Sequence, residues 1–199
     1  VKYIRPFIAF TSEKIAADRL ARLCKEEWNI SDKEVRAAVH DAWKEQHLAK
    51  ADIRAEGARA LRWIKENKKR GIVLAGRPYH VDPEINHGID KLIAGFDVAI
   101  VSEDVVSSRV DRFHTGVLNQ WTYHSRLYAA AKYVTTRKDM ELIQLVSFGC
   151  GVDAITTDEV IVNHTATTKI YTQIKIDEIT NLGAVKIRIR SLLAAIEND

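Results

Sequence analysis

Cys150 stands between two glycines in the stretch Leu145-Val146-Ser147-Phe148-Gly149-Cys150-Gly151-Val152-Asp153-Ala154. The stretch reads as the end of a buried strand, a glycine-flanked turn and the start of a helix. In an open α/β sheet this is where chemistry is placed, just past the carboxyl end of a strand. Glycines let the backbone approach a bulky group, and the N-terminus of the helix that follows favours a thiolate. Three functions suit such a thiolate: ligand of a metal or cluster, covalent nucleophile, or redox switch. A nucleophile wants a histidine partner, and His80, His87, His114 and His124 are available in the sequence. A small residue buried at a tight turn fits the same pattern.

Two more polar clusters follow apolar runs in the same way. The first is Gly76-Arg77-Pro78-Tyr79-His80-Val81-Asp82-Pro83-Glu84-Ile85-Asn86-His87-Gly88, and the second is Ser102-Glu103-Asp104. Arg77, His80, Asp82, Asn86 and His87 are concentrated in the first, and Pro78 and Pro83 stiffen it. Such a loop can bind an anion, hold a metal through His80, Asp82 and His87, or satisfy its own turns, and the spacing selects none of these. Asn119, Gln120, Trp121, His124 and Arg126 at a helix start can bind a ligand or tie the loops together. Asp177-Glu178, at the end of a fourth strand, can act as a general base or cap the last helix. The loops after the first three strands are expected to meet at one edge of a sheet around Cys150.

The elements that place these loops follow from periodicity. Val1 to Phe10 reads as a short strand that Pro6 confines to an edge. Thr11 or Ser12 caps a helix with Ile15, Ala16, Leu20 and Leu23 at helical spacing, and Cys24 on that apolar stripe reads as a buried, inert thiol. Ser31-Asp32-Lys33-Glu34 is a capping box. It opens a helix running to about Lys68, with Gly57 as its one interruption and a length of ~55 Å at 1.5 Å per residue. Val35, Val39, Ala42, Ala49, Ile53, Ala60 and Ile64 form a narrow seam along it, which suggests pairing with the preceding helix or with a second subunit. Lys65, Lys68, Lys69 and Arg70 crowd its end, and dipole compensation with solvation is preferred to a phosphate patch.

From Gly71 the pattern changes to strands alternating with helices: strands at Gly71–Gly76, Asp97–Val101, Leu142–Phe148 and Lys169–Ile176, with helices at Ile85–Phe96, Asn119–Thr135, Asp153–Asn163 and Ala184–Ile196. The irregular stretch Ser107–Leu118 carries Arg109, Arg112 and His114. Alternation of this kind implies right-handed crossovers and a parallel sheet. The expected fold is α/β: a doubly wound, mostly parallel four-stranded sheet in a flavodoxin-like half (residues 71–199), preceded by a long-helix segment (residues 1–70).

The totals narrow the function. In 199 residues, 46% are apolar and 29% charged, as in an ordinary globular protein. A formal net charge of +3 with mixed signs argues against nucleic acid. No apolar run approaches the ~20 residues of a membrane span. Val1-Lys2-Tyr3-Ile4-Arg5-Pro6 lacks the apolar core of a signal peptide, and two cysteines make no disulfide framework, so a cytoplasmic location is expected. The start at Val1 suggests a piece of a longer polypeptide. Gly-x-Gly-x-x-Gly after a strand, the phosphate loop Gly-x-x-x-x-Gly-Lys-Ser/Thr, Cys-x-x-Cys and His-Glu-x-x-His are all missing from the sequence.

The same residues carry a family resemblance. Gly76-Arg77-Pro78-Tyr79-His80-x-Asp82-Pro83-x-x-Asn86-His87-Gly88-Ile89, Ser102-Glu103-Asp104, Asn119-Gln120-Trp121-x-Tyr123-His124-Ser125-Arg126-Leu127-Tyr128, Ser147-Phe148-Gly149-Cys150-Gly151-x-Asp153-Ala154 and Ile174-Lys175-Ile176-Asp177-Glu178 resemble one group closely. It is the large activators of 2-hydroxyglutaryl-CoA dehydratase, or acyl-CoA dehydratase activase-related proteins, over about Gly71 to Ala195. The resemblance implies a region similar to the dehydratase's own cluster-binding subunits, with an anaerobic role in low-potential electron transfer. It implies Cys150 as a thiolate ligand of an iron–sulfur cluster, with the first two loops lining the cluster or an acyl-CoA pocket. Partner cysteines are missing from those loops, which hold His80, His87 and Glu103, so the remaining ligands are expected from elsewhere in a longer protein or from a second subunit. The activase's own phosphate loops are absent, so this chain is not expected to hydrolyse ATP by itself. Expected partners are the other domains of a longer activator polypeptide or a dehydratase-like subunit, with homo-oligomerisation through the N-terminal helices as a further expectation.

Overall fold

The computed structural model describes residues 1–111, 113–147, 149, 151–165, 167–176 and 182–197. Their contacts group them into two units, Val1–Ile53 and Arg54–Asp199.

The first unit is a helical hairpin. Helix α1 (Glu13–Trp28) starts where Ser12 Oγ accepts the Ile15 N–H. It stops at Asn29, whose left-handed backbone (φ 55°) turns its N–H back onto the Cys24 and Lys25 carbonyls. Helix α2 (Asp32–Glu66) starts at Ser31, whose Oγ accepts the Glu34 N–H at 3.2 Å, the N-cap contact that Ser31-x-x-Glu34 predicts. Ala16, Ala17 and Ala21 of α1 pack on Val35 and Val39 of α2, with Cys24 partly buried beside them. Small residues on α1 let the two helices approach closely. Arg36 bridges to Asp18 at 2.7 Å across the hairpin. The strand expected over Val1–Phe10 does not form. It has no ladder partner, and a strand without one leaves its backbone groups unpaired. Instead Arg19 Nη1 donates to the Phe7 carbonyl at 3.0 Å.

The second unit is built on four strands: β1 (Gly71–Ala75), β2 (Ala99–Ser102), β3 (Met140–Val146) and β4 (Thr172–Lys175). All pair in parallel, in the order β2-β1-β3-β4, which is the flavodoxin-like order. The short helices α3 (Ile89–Ala94) and α4 (Glu103–Val106) follow β1 and β2, α5 (Thr122–Thr135) precedes β3, α6 (Gly151–Thr165) joins β3 to β4, and α7 (Gly183–Glu197) follows β4. Every residue of β1 and β3 is buried, because both faces of a doubly wound sheet are covered. Val73 and Ala75 face a core shared with α2, α4, α5 and α6. Ile72 and Leu74 face the opposite core, filled from α3 and from the α7 stripe Val185, Ile189, Leu192 and Ile196.

Gly57, the interruption in the α2 pattern, now has a reason. A Cβ there would fall inside the Val105 side chain, so the glycine is what lets the end of α2 lie against α4. The helix expected over Ile85–Phe96 is shorter, starting only at Ile89. Asn86 Oδ1 accepts the Gly88 N–H at 2.9 Å, and His87 and Gly88 both take left-handed backbone (φ 54° and 78°). That local turn wins over helix before Ile89.

Candidate functional site

The strand order reverses between β1 and β3, so a crevice opens there at the carboxyl edge of the sheet. Gly76 ends β1 with φ +155°. A Cβ on it would overlap the His80 ring and come within 2.8 Å of the Leu145 carbonyl, so Gly76 makes room for His80. The His80 ring is 1% exposed. Its Nδ1 accepts the Arg77 backbone N–H at 3.0 Å. A backbone N–H only donates, so Nδ1 carries no proton and the neutral ring carries one on Nε2. Nε2 therefore donates to Ser147 Oγ, 3.2 Å away at the end of β3. With both ring nitrogens engaged, His80 fastens the β1 loop to β3 across the crevice.

A second bridge crosses the same crevice. Arg77 Nη2 donates to Asp153 Oδ1 at 3.0 Å, and Arg77 Nη1 to the Tyr79 hydroxyl at 2.8 Å. Asp153 lies in the first turn of α6, where the helix N-terminus stabilises its charge. Its other oxygen, Oδ2, is buried without a hydrogen-bond partner among the described residues. His124, in the first turn of α5, is also buried, and its Nε2 is similarly unpartnered. Trp121 stacks on it at 5.0 Å and Tyr123 lies 4.0 Å away between ring centres. Burial lowers the His124 pKa, while the Asp153 carboxylate pulls it up and the Arg77 guanidinium pushes it down. The ring is therefore neutral at pH 7 and sits in the field of the Arg77–Asp153 pair. Two orphaned polar atoms in one charged recess mark a place where water or a ligand group completes the hydrogen bonding.

The third cluster is at the end of β2. Arg126 Nη1 reaches Asp104 Oδ1 at 2.7 Å, and its Nη2 reaches Glu103 Oε1 at 3.4 Å. Glu103 is 2% exposed. Its carboxyl is pushed up to about 7, first by burial and then by the neighbouring Asp104 charge. Arg126 does not reverse this, because it is held closer to Asp104. The α5 start thus serves both clusters, with His124 beside the crevice and Arg126 on the β2 loop.

Of the remaining sequence candidates, Asp82 and His87 are exposed, and Asp82 Oδ1 accepts the Glu84 N–H within its own turn. Asn86 is wholly buried and serves the turn into α3. Asn119 Oδ1 accepts from Ser125 Oγ, and Gln120 and His114 are exposed. Cys150, Asp177, Glu178 and Arg112 lie outside the described residues. The structure adds Ser147 and Asp153, which the sequence offered only as members of the motif around Gly149-Cys150-Gly151. It also adds Glu159, which holds the loop before α5 by accepting the Gly116 N–H at 3.0 and 3.2 Å. Among the described residues, no three His, Cys, Asp or Glu side chains are placed to hold a metal ion.

A family model described as a CoA enzyme activase uncharacterised domain matches residues 1–106. The chain belongs to that family. No curated protein and no solved structure matches it. In this activase-family chain the matched part holds α1 to α4 with β1 and β2, and so Arg77, His80, Glu103 and Asp104. The residues that complete those contacts, His124, Arg126, Ser147 and Asp153, follow the matched part. Among the described residues, no helix is long and apolar enough to cross a membrane.

Proposed function

We propose that this chain is a domain of an activator-type protein serving 2-hydroxyacyl-CoA dehydratases, similar to the dehydratase's cluster-binding subunits and engaged in low-potential electron transfer. The observation that carries the reading is the coincidence of two things: membership of a CoA enzyme activase family, and polar groups gathered at the β1/β3 crevice through Ser147 and Asp153, which flank Cys150 in the sequence. On this reading the partners are a dehydratase-like subunit or further domains of a longer activator, and the setting is cytoplasmic and anaerobic.

A four-iron cluster takes cysteine thiolates at most of its irons. The described residues do not fit that requirement: they bring no ligand group together, and His80 has both nitrogens engaged. The proposal therefore assigns one thiolate to Cys150 and draws the other ligands from outside this chain. The residues of the crevice orient the loops: His80 and Ser147 hold β1 to β3, and Arg77 and Asp153 fix the start of α6. A second reading, an interaction module without a cluster, is favoured by α2, whose residues 44–56 are all exposed, Leu48 and Ile53 among them.

Anaerobic reconstitution with iron and sulfide, read as iron per chain and visible absorption, tests the proposal. Iron bound by the wild type and lost in Cys150→Ser supports a cluster at this turn. Iron absent from both removes the cluster from this chain and leaves the interaction module.

A further inference from the structure

The opposite, amino-terminal edge of the sheet gathers charge that the sequence keeps apart. Lys68, Lys69 and Arg70 precede β1, Arg137 and Lys138 precede β3, and Lys169 precedes β4. The register pairs Gly71 with Met140. One step outward the Gly71 N–H donates to the Asp139 carbonyl at 2.9 Å, and Arg70 Nη1 donates to the Lys138 carbonyl at 3.2 Å. The two basic runs thus lie side by side. Two adjoining grooves result, of about 640 and 380 Å³, which share Arg70 and Lys138. Their walls carry seven cations, with Lys65 the seventh, against the carboxylates of Asp139 and Glu141. The local excess of five exceeds the +3 of the whole chain.

Two ordinary explanations fall short of this excess. Asp97 pairs with Lys69 and removes one unit. The C-terminal ends of α2, α5, α6 and α7 lie at this edge, and each offers about half a negative charge, roughly two in all. About two positive charges remain. Some of the cations are held in place by the fold: Lys169 is anchored by Glu141 at 2.6 Å and the Met140 carbonyl at 2.7 Å, and Arg137 by Asp139. Arg70 meets only carbonyls, of Lys138 and Ile196. Lys65, Lys68 and Lys138 carry no carboxylate among the described residues. Thr135, Thr136, Thr167 and Thr168 line the larger groove and add hydroxyls.

We infer that this edge binds a small molecule through a di- or polyphosphate group, with Arg70 and the Lys68 and Lys138 ammonium groups as its main contacts. Grooves of about 640 and 380 Å³ are of the size that a small ligand fills. Uncommitted cations converging on one groove call for more than one negative charge, and a charged cleft concentrates such an anion. The site lies at the amino ends of the strands, opposite the β1/β3 crevice, and is independent of the cluster reading.

The test is isothermal titration of the chain with inorganic pyrophosphate at low salt, repeated at physiological salt. The wild type is expected to bind one equivalent saturably, more weakly as salt rises. Lys68→Gln/Lys138→Gln, both exposed and so expected to melt like the wild type, should weaken binding roughly tenfold or more. Lys14→Gln/Lys44→Gln, which removes the same charge from α1 and α2, should leave it unchanged. Equal weakening in both variants would reduce the effect to diffuse charge attraction and overturn the site. So would the absence of saturable binding up to about 5 mM pyrophosphate.

Discussion

At the carboxyl edge of the sheet, Arg77 meets Asp153 at 3.0 Å with the two side chains 17% and 11% exposed. At the amino edge, Arg137 meets Asp139 at 2.6 Å with the two 27% and 33% exposed. The shorter pair is the less consequential one. Solvent screens the Arg137 pair, whereas losing one partner of the Arg77 pair strands a charge in a recess that water scarcely reaches. The two edges also differ in balance. The crevice matches cation to carboxylate, with neutral histidines between, and the opposite edge keeps cations in excess. One edge is held together by its own charges, and the other has charge to spare for something else.

Gly76→Val should break the first edge most severely. It adds a β-branched side chain at φ +155°, displaces His80 and crowds the Leu145 carbonyl. A loss of about 4 kcal/mol or more in urea unfolding is expected. Asp153→Ala should cost about 3 kcal/mol, because Arg77 is left in the recess, while Asp139→Ala should cost under about 1 kcal/mol. Comparable losses in those two variants would erase the distinction between the edges.

Glu103→Gln sharpens the comparison through pH. Below about 4.5 the Glu103 carboxyl is protonated whether the chain is folded or not, and above about 7 it is ionised in both. In between, the folded chain holds the extra proton, so the stability it contributes is lost as pH rises through about 7. The variant should flatten that slope and gain about 2 kcal/mol at pH 8, a value reduced from the full shift because water partly relieves the buried charge. Thermal melts between pH 5 and 8 would show it. An unchanged slope would mean that Glu103 is already ionised and fully held by Arg126.

An apolar run between Gly71 and Gly76 made β1 legible, short apolar runs made β2 and β3 legible, and alternation with helices made the parallel sheet legible. The capping Ser31 located the start of α2. What could not be read was anything that depends on distant partners. Gly57 looked like a flaw in a helix until Val105 appeared against it. Asp153 stood inside a sequence motif with no role of its own until Arg77 reached it. The basic edge was read from Lys65, Lys68, Lys69 and Arg70 alone, where dipole compensation was a sufficient account. Arg137, Lys138 and Lys169 join that cluster only through strand register, and periodicity carries no information about register between strands far apart in the chain.

The pairing of β1 with β3 also sets a timetable. Gly71 waits for Met140, about 70 residues later in the chain, and at roughly 5–20 residues per second the ribosome takes several seconds to deliver it. For that interval the nascent β1, apolar throughout, has only β2 on one side and an open edge on the other, the kind of edge that recruits stray strands. The family region ends at residue 106, inside this interval. Its central strand gains its second neighbour only when some 34 further residues, from the end of that region to Met140, have been made.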